Sequence, residues 1–319
     1  MTVTRSDLEK LIEVVRAECA DPRAGIYGPS SISWEIDKEA ILFVGGGRAA
    51  LLQLAHPFVA HAVDQHSQTK TDPLGRFQRT FDNVFAMVFG DLDRAIRSAR
   101  RVHAIHSRIS GAIAEDVGRF AHGSRYEAND EQALLWVHAT LIDTAVTVYD
   151  LVVRPLAYAE KDRYWQETKR FARLFGISDA VLPPDWEAFQ RYFQRMVDSD
   201  TIAVGAPARE MAGFLFATPK PAMKPVFRWL ELMTAGLLPP RLRPLFGFRY
   251  GRVEHAAFRA SLSLLGRTYP YLPRRIRYVP AYVAARRRLA GVEGPDRIGR
   301  LLEKLALKGL GRRDAAAAR

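Results

Sequence analysis

Apolar residues recur along this chain at three- and four-residue intervals, seldom in alternation. Leu8, Leu11, Ile12 and Val15 fall at i, i+3, i+4 and i+7, the stripe of an amphipathic helix. A Gly/Pro/Ser-rich break, GIYGPSSIS, then predicts a loop. Residues 48–55 read helical, with Pro57 kinking or restarting the helix. Asp72 is a reasonable N-cap with Pro73 in the first helical position, so a helix is expected over 73–89, stopping at Gly90. Asp91 caps the next helix, which the periodicity carries to Gly111. Residues 131–154, EQALLWVHATLIDTAVTVYDLVVR, are apolar nearly all round and long enough for a membrane span. His138, Asp143 and Asp150 lie inside that run, and a charge at the bilayer centre costs at least ~2.5 kcal/mol. It therefore reads as a central buried helix. A helix-rich region follows to about Gly176, another helix starts after Pro183-Pro184, and further prolines divide the second half into short helices. The expected fold is all-α. One large helical domain covers 1–290, with a core over 36–216, and a basic amphipathic helical tail covers 291–319.

Composition adds constraints. The 319 residues are 48% apolar and 26% charged, ordinary for a soluble globular protein. Lys+Arg of 47 against Asp+Glu of 35 leaves a net charge of +12, the mark of a solvated basic face, an anionic membrane surface or nucleic acid. The excess is concentrated after Arg274, in RRIRYVP, ARRRLAG and RIGRLLEKLALKGLGRR. In the last piece Ile298, Leu301, Leu302, Leu305 and Leu310 share much of one helical face with cations opposite. That suits either peripheral contact with an anionic membrane or packing on the body. No nucleic-acid reader motif accompanies it. The single cysteine, Cys19, rules out an intrachain disulfide, a Cys-based zinc site and a CxxCH haem attachment. The charged N-terminus lacks the apolar run of a signal peptide, so a cytoplasmic location is expected.

Candidate chemistry concentrates between Ile41 and Gly111, which hold five of the eight histidines. ILFVGGGRAALLQLA fits the strand, G-x-G-x-x-A and helix of a dinucleotide fold, and Asp64 lies near the expected distance. The second strand is missing, however, because HPFVAHAVDQHS is polar and histidine-rich. The glycines read better as places where backbone closely approaches another helix or a flat ligand. His103 and His106 share one helical face with Ile96, Ala99, Val102 and Ile109. Such an imidazole either ligates a haem iron in an apolar slot or is a satisfied core histidine. Arg76, Arg79 and Thr80 fall at i, i+3 and i+4 on one face of the 73–89 helix. They form either a surface charge cluster or an inward group that meets a carboxylate, a propionate or an oxygen species. HExxH, Glu-x-x-His and G-x-S-x-G are all absent, which leaves non-haem metal and serine hydrolase chemistry without a foothold.

The succession GGGRAALLQLAHPFVAHAVDQHS, DPLGRFQRT, VHAIHSRISG, LLWVHATLIDT and RPLAYAEKDRYWQE resembles the rubber oxygenase/MpaB-type oxygenase family, over about residues 36–216. The resemblance implies an all-helical fold enclosing one non-covalent haem b. His106 matches the motif of the proximal iron ligand, and Arg76 and Thr80 match the distal pair. His103 and Arg79 lie beside them as further cofactor contacts. Latex-clearing proteins carry, at the position of Arg79, a lysine that caps the iron; arginine is a much poorer ligand, which implies an open or water-bound sixth position. His56, His66, His138 and Asp143 also match motif positions, without individual roles. The implied activity is cleavage of a carbon–carbon double bond in a hydrophobic, isoprenoid or lipid-like small molecule, with O2 as co-substrate. The electron donor is not indicated. The rival readings are a non-catalytic haem sensor or carrier, and a cofactor-free helical scaffold that associates with membranes through its basic tail.

Overall fold

The computed structural model describes residues 1–66, 73–218 and 221–292, with the side chains of residues 73–79 outside that description. The expected tail falls outside it from residue 293 onward. Fifteen α-helices run in the order α1 (Arg5–Glu18), α2 (Ile32–Asp37), α3 (Gly46–Leu54), α4 (Pro57–His66), α5 (Pro73–Phe89), α6 (Leu92–His106), α7 (Glu131–Val152), α8 (Tyr158–Leu174), α9 (Trp186–Asp198), α10 (Ala206–Phe216), α11 (Lys224–Leu237), α12 (Leu242–Leu245), α13 (Arg252–Thr268), α14 (Arg274–Arg277) and α15 (Pro280–Leu289). The fold is all-α, as the pattern predicts. Between α6 and α7 lies one small addition that the sequence did not announce, an antiparallel pair of strands, β1 (Ser110–Ala112) and β2 (Arg125–Glu127), with Gly111 opposite Tyr126.

Local chemistry explains the element ends. At α1, Thr4 Oγ1 accepts from the Asp7 amide and the Asp7 carboxylate accepts from the Thr4 amide, each at 3.2 Å, a reciprocal capping box. Its Leu8, Ile12 and Val15 are buried, as the stripe requires. Helix α6 ends at His106, five residues before the expected Gly111. Ser107 Oγ donates back to the His103 carbonyl at 2.8 Å, and the chain then leaves the helix to pair as β1.

Helix α7 is the strut of the molecule. It packs against α2, α3, α8, α9 and α13, and 14 of its 22 residues are buried. It is the one described helix long and apolar enough to cross a membrane, yet 67% of its most apolar window is buried inside the fold. Each of its acids has a partner. Glu131 Oε1 accepts from the Ser178 amide at 2.9 Å, Asp143 meets Arg48, and Asp150 meets the Leu156 amide and the Lys161 ammonium. A buried carboxylate is tolerated only with such partners.

The glycine triplet opens no nucleotide-binding turn. Residues Ala40–Gly45 form a 3-10 helix that leads into α3. A Cβ on Gly45 would lie 2.5 Å from Thr144 Cγ2 of α7, and one on Gly47 would lie 2.2 Å from Thr234 Oγ1 of α11. Glycine lets both helices press onto this segment.

Candidate functional site

Helices α5 and α6 form an antiparallel hairpin whose closed end is fixed in the core. Asp91 caps α6, its Oδ1 accepting from the Arg94 amide at 2.7 Å. Met87, Val88 and Phe89 are buried, and Trp34 Nε1 donates to the Val88 carbonyl at 3.0 Å. Gly25, at φ +82°, lies so close that a Cβ on it would stand 2.1 Å from the Gly90 carbonyl oxygen. On α6, Leu92, Ala95, Ile96 and Ala99 face the buried stripe of α1.

On α5 burial falls from that end outward, whereas on α6 His103, near the far end, is buried. Along α5, Asn83 to Ala86 are half-buried, and Thr80 is exposed. Ser98 Oγ donates to the Asn83 carbonyl at 3.2 Å, which sets the two helices level at residues 83 and 98. Both advance 1.5 Å per residue in opposite directions. Eight residues outward, His106 is therefore level with Gly75 and beside Arg76, and Thr80 is level with Arg101. The backbone thus brings the Arg76, Arg79 and Thr80 segment and His106 to the same open end of one hairpin. The side chains of Arg76 and Arg79 lie outside the described residues.

The two α6 histidines differ in their surroundings. His103 is buried, with Nε2 3.0 Å from the Val3 carbonyl and Nδ1 3.4 Å from Ser107 Oγ. Because a carbonyl only accepts, Nε2 carries the proton. Asn129 Nδ2 donates to the His103 carbonyl and to Ser107 Oγ, at 3.3 and 3.0 Å. The ring of His103 is thus committed to holding the N-terminal segment against α6. His106, on the last turn, is half-buried.

An aromatic rim stands on α5 beside this end. Phe43, 37% exposed, lies with its ring centroid 4.9 Å from Phe81 and 6.0 Å from Phe85. Val84, Val102 and Leu141 are half-buried around the same core cluster. The site therefore combines an imidazole, a hydroxyl, two arginines by sequence and a half-exposed apolar wall. That set suits a flat, largely apolar ligand with charged edges.

The other histidines are distributed through the body. His56 packs against the rings of Phe58 and Phe120 and accepts from the Phe58 amide at 3.3 Å; burial pushes its pKa down to about 4. His66 bonds the Ser110 carbonyl at 3.0 Å and so ties α4 to β1. His138 is buried against Trp165 and Phe171, and burial alone takes its pKa down to about 3. Asp143 proves to belong with a residue that sequence reasoning passed over. Arg48 Nη2 meets Asp143 Oδ2 at 2.5 Å, Nη1 donates to Thr144 Oγ1 at 2.6 Å, and Nε donates to the Leu237 carbonyl at 2.9 Å. This network fastens α3 to α7 and α11. A signal was present, since an arginine and an aspartate inside two apolar helices each need an opposite charge.

Among the described residues no group of three or more His, Cys, Asp or Glu could hold a metal ion through protein ligands alone. A haem needs only one imidazole from the protein.

Residues 34–267 match the family described as ER-bound oxygenase mpaB/B'/Rubber oxygenase, catalytic domain. Two similar proteins are an uncharacterized protein of Mycobacterium bovis and an uncharacterized protein of Mycobacterium tuberculosis. Each is 26% identical over 235 residues, which is 70% of this chain and 88% of the relative. No solved structure matches the chain significantly.

Proposed function

Since the chain belongs to the mpaB/rubber oxygenase catalytic-domain family, an oxygenase and hence oxidoreductase family, we propose that it uses haem b and O2 to cleave a carbon–carbon double bond in a hydrophobic, isoprenoid or lipid-like substrate. The observation that carries this reading is the convergence of His106 and the Arg76 to Thr80 segment at the open end of the α5–α6 hairpin. The residues fit the group. His106 supplies a half-buried imidazole on the last turn of α6, and the ring of His103, one turn earlier, is buried with Nε2 donating to the Val3 carbonyl. In this reading His106 would hold the haem iron, and His103 would support it by fixing the helix.

Haem b supplies the binding and activation of dioxygen. The protein supplies the rest. Thr80 would offer a hydroxyl that donates a hydrogen bond to an oxygen species, and Arg76 would offer a permanent positive charge. Arg79 keeps its proton and would pair with an anionic edge of the cofactor rather than ligate it. The Phe43, Phe81 and Phe85 rim excludes water and accepts an apolar chain. The overall reaction balances without added electrons: the alkene double bond and one O2 become two carbonyl groups. The single half-buried thiol, Cys19, suits the reducing cytoplasm, where the proposal places the protein.

The test is dioxygen uptake by haem-loaded protein with a polyisoprenoid or an unsaturated lipid, with carbonyl products counted. Two carbonyls per O2 are expected. Arg76→Ala and Thr80→Val should retain haem and lose about 100-fold in rate, the usual cost of removing one charge-stabilising donor. Haem-loaded protein that consumes no O2 with any alkene offered supports a sensor or carrier instead.

A further inference from the structure

The segment 249–289 holds ten arginines and a single carboxylate, Glu254, which caps its own helix by accepting from the Gly251 amide at 2.8 Å. Helix α13 faces inward through Phe258 and Leu262. The segment is fixed again by Tyr269, whose hydroxyl donates to Glu39 Oε2 at 2.8 Å, and by Arg277, whose Nη2 meets Glu39 Oε1 at 2.9 Å. A helix turns about 100° per residue, so Val253 and Leu264 share the solvent side opposite Phe258 and Leu262. They are 77% and 63% exposed; Tyr271 and Ile276, just beyond the helix, are 88% and 56% exposed. Arg267, Arg274 and Arg275, in the same stretch of chain, are exposed, and none pairs with a carboxylate among the described residues.

We propose that this α13–α14 face is a docking surface for an anionic phospholipid bilayer. The apolar side chains would enter the boundary between headgroups and acyl chains, and the arginines would meet lipid phosphates. Charge decides among occupants. A second copy of the chain would set one arginine-rich face against another. A nucleic acid would match the charge but would leave Val253, Leu264 and Ile276 in water. A lipid surface satisfies both the charge and the protruding apolar groups, and a tyrosine at the rim suits the interface. The inference concerns a surface on the described body, separate from the 293–319 tail, and holds whether or not the chain carries haem.

The experiment is co-sedimentation of the full-length protein with vesicles of equal parts phosphatidylcholine and phosphatidylglycerol, and with pure phosphatidylcholine. Binding to the anionic vesicles alone is expected. Arg274→Gln with Arg275→Gln should weaken it about thirtyfold, from ~1 kcal/mol per cation near the surface. Tyr271→Ser with Ile276→Ser should weaken it at least tenfold and should do so equally in high salt. All four positions are exposed, so circular dichroism should show unchanged helix content and melting. A parallel variant, Lys304→Gln with Lys308→Gln, Arg312→Gln and Arg313→Gln, separates the tail from the face. The proposal is overturned if neither face variant alters vesicle binding, whatever the tail variant does, or if anionic vesicles bind no better than neutral ones. It is also overturned if the arginine variant abolishes nucleic-acid binding while vesicles are ignored.

Discussion

Arg48 and Asp143 stand 95 positions apart in the chain and 2.5 Å apart in the fold, with only 6% and 19% of their side chains exposed. Such a pair contributes little net stability, but breaking it strands a buried charge. Asp143→Ala should therefore cost ~3–5 kcal/mol in urea unfolding, whereas Arg48→Met with Asp143→Leu should cost much less. Buried histidines give a second prediction at this scale. Burial lowers the pKa of His56 to about 4 and of His138 to about 3, against 6.5 for a free imidazole. Between those values and 6.5 the unfolded chain binds protons that the fold refuses. Their contribution is therefore complete above pH 6.5 and is lost as pH falls toward 4. Asp37 acts in the opposite sense. Burial raises its pKa to about 7 despite the 2.8 Å hydrogen bond from the Tyr164 hydroxyl, so its contribution falls as pH rises from about 4 to 7. Two histidines outweigh one aspartate, so stability should rise from pH 4 to 6.5. In the His138→Leu variant most of that rise should vanish, as read from urea midpoints across the pH series.

The α5–α6 hairpin shows what a single element owes to its neighbours. Its glycine turn is pressed against Gly25, whose φ of +82° already disfavours a side chain and whose added Cβ would meet the Gly90 carbonyl at 2.1 Å. Gly25→Ala should lower stability by more than ~1 kcal/mol and should loosen haem binding, because the closed end of the hairpin sets the position of the open one. Thermal melts with and without haemin would measure both. The limits of α5, Pro73–Phe89, were legible in advance because a proline and a glycine mark them locally. The end of α6 was not. Ser107 to Ile109 continue the helical periodicity, and the chain instead turns to pair Ser110–Ala112 with Arg125–Glu127, a later stretch of the same connection between α6 and α7. The same distinction holds at the site. The His106 motif and the Arg76, Arg79 and Thr80 spacing can be read from neighbouring letters. The commitment of His103 to Val3, 100 positions away, and of Arg48 to Asp143 cannot.

At the scale of the molecule, α7 sits under everything else. Its one apolar run binds α3 and the 3-10 segment on one side and α8 and α9 on another, and α8 with α1 in turn supports the hairpin. The net charge of +12 is spread unevenly, with ten of the arginines between residues 249 and 289, of which Arg288 touches the closed end of the hairpin, donating to the Phe89 carbonyl at 2.8 Å. The molecule therefore presents an apolar-rimmed site on one element and a basic face on others. A ligand that binds only the folded state raises the melting temperature, so haemin in excess should stabilise the wild type measurably and the His106→Ala variant not at all.

Whether His106 holds a haem is decided by the absorption spectrum of purified protein, oxidised and then reduced, after loading with haemin. A Soret band with one haem per chain is expected, retained in His103→Ala at lower thermal stability and lost in His106→Ala. A wild-type protein that stays colourless with haemin, or a His106→Ala protein whose Soret band and stoichiometry match the wild type, would contradict that expectation.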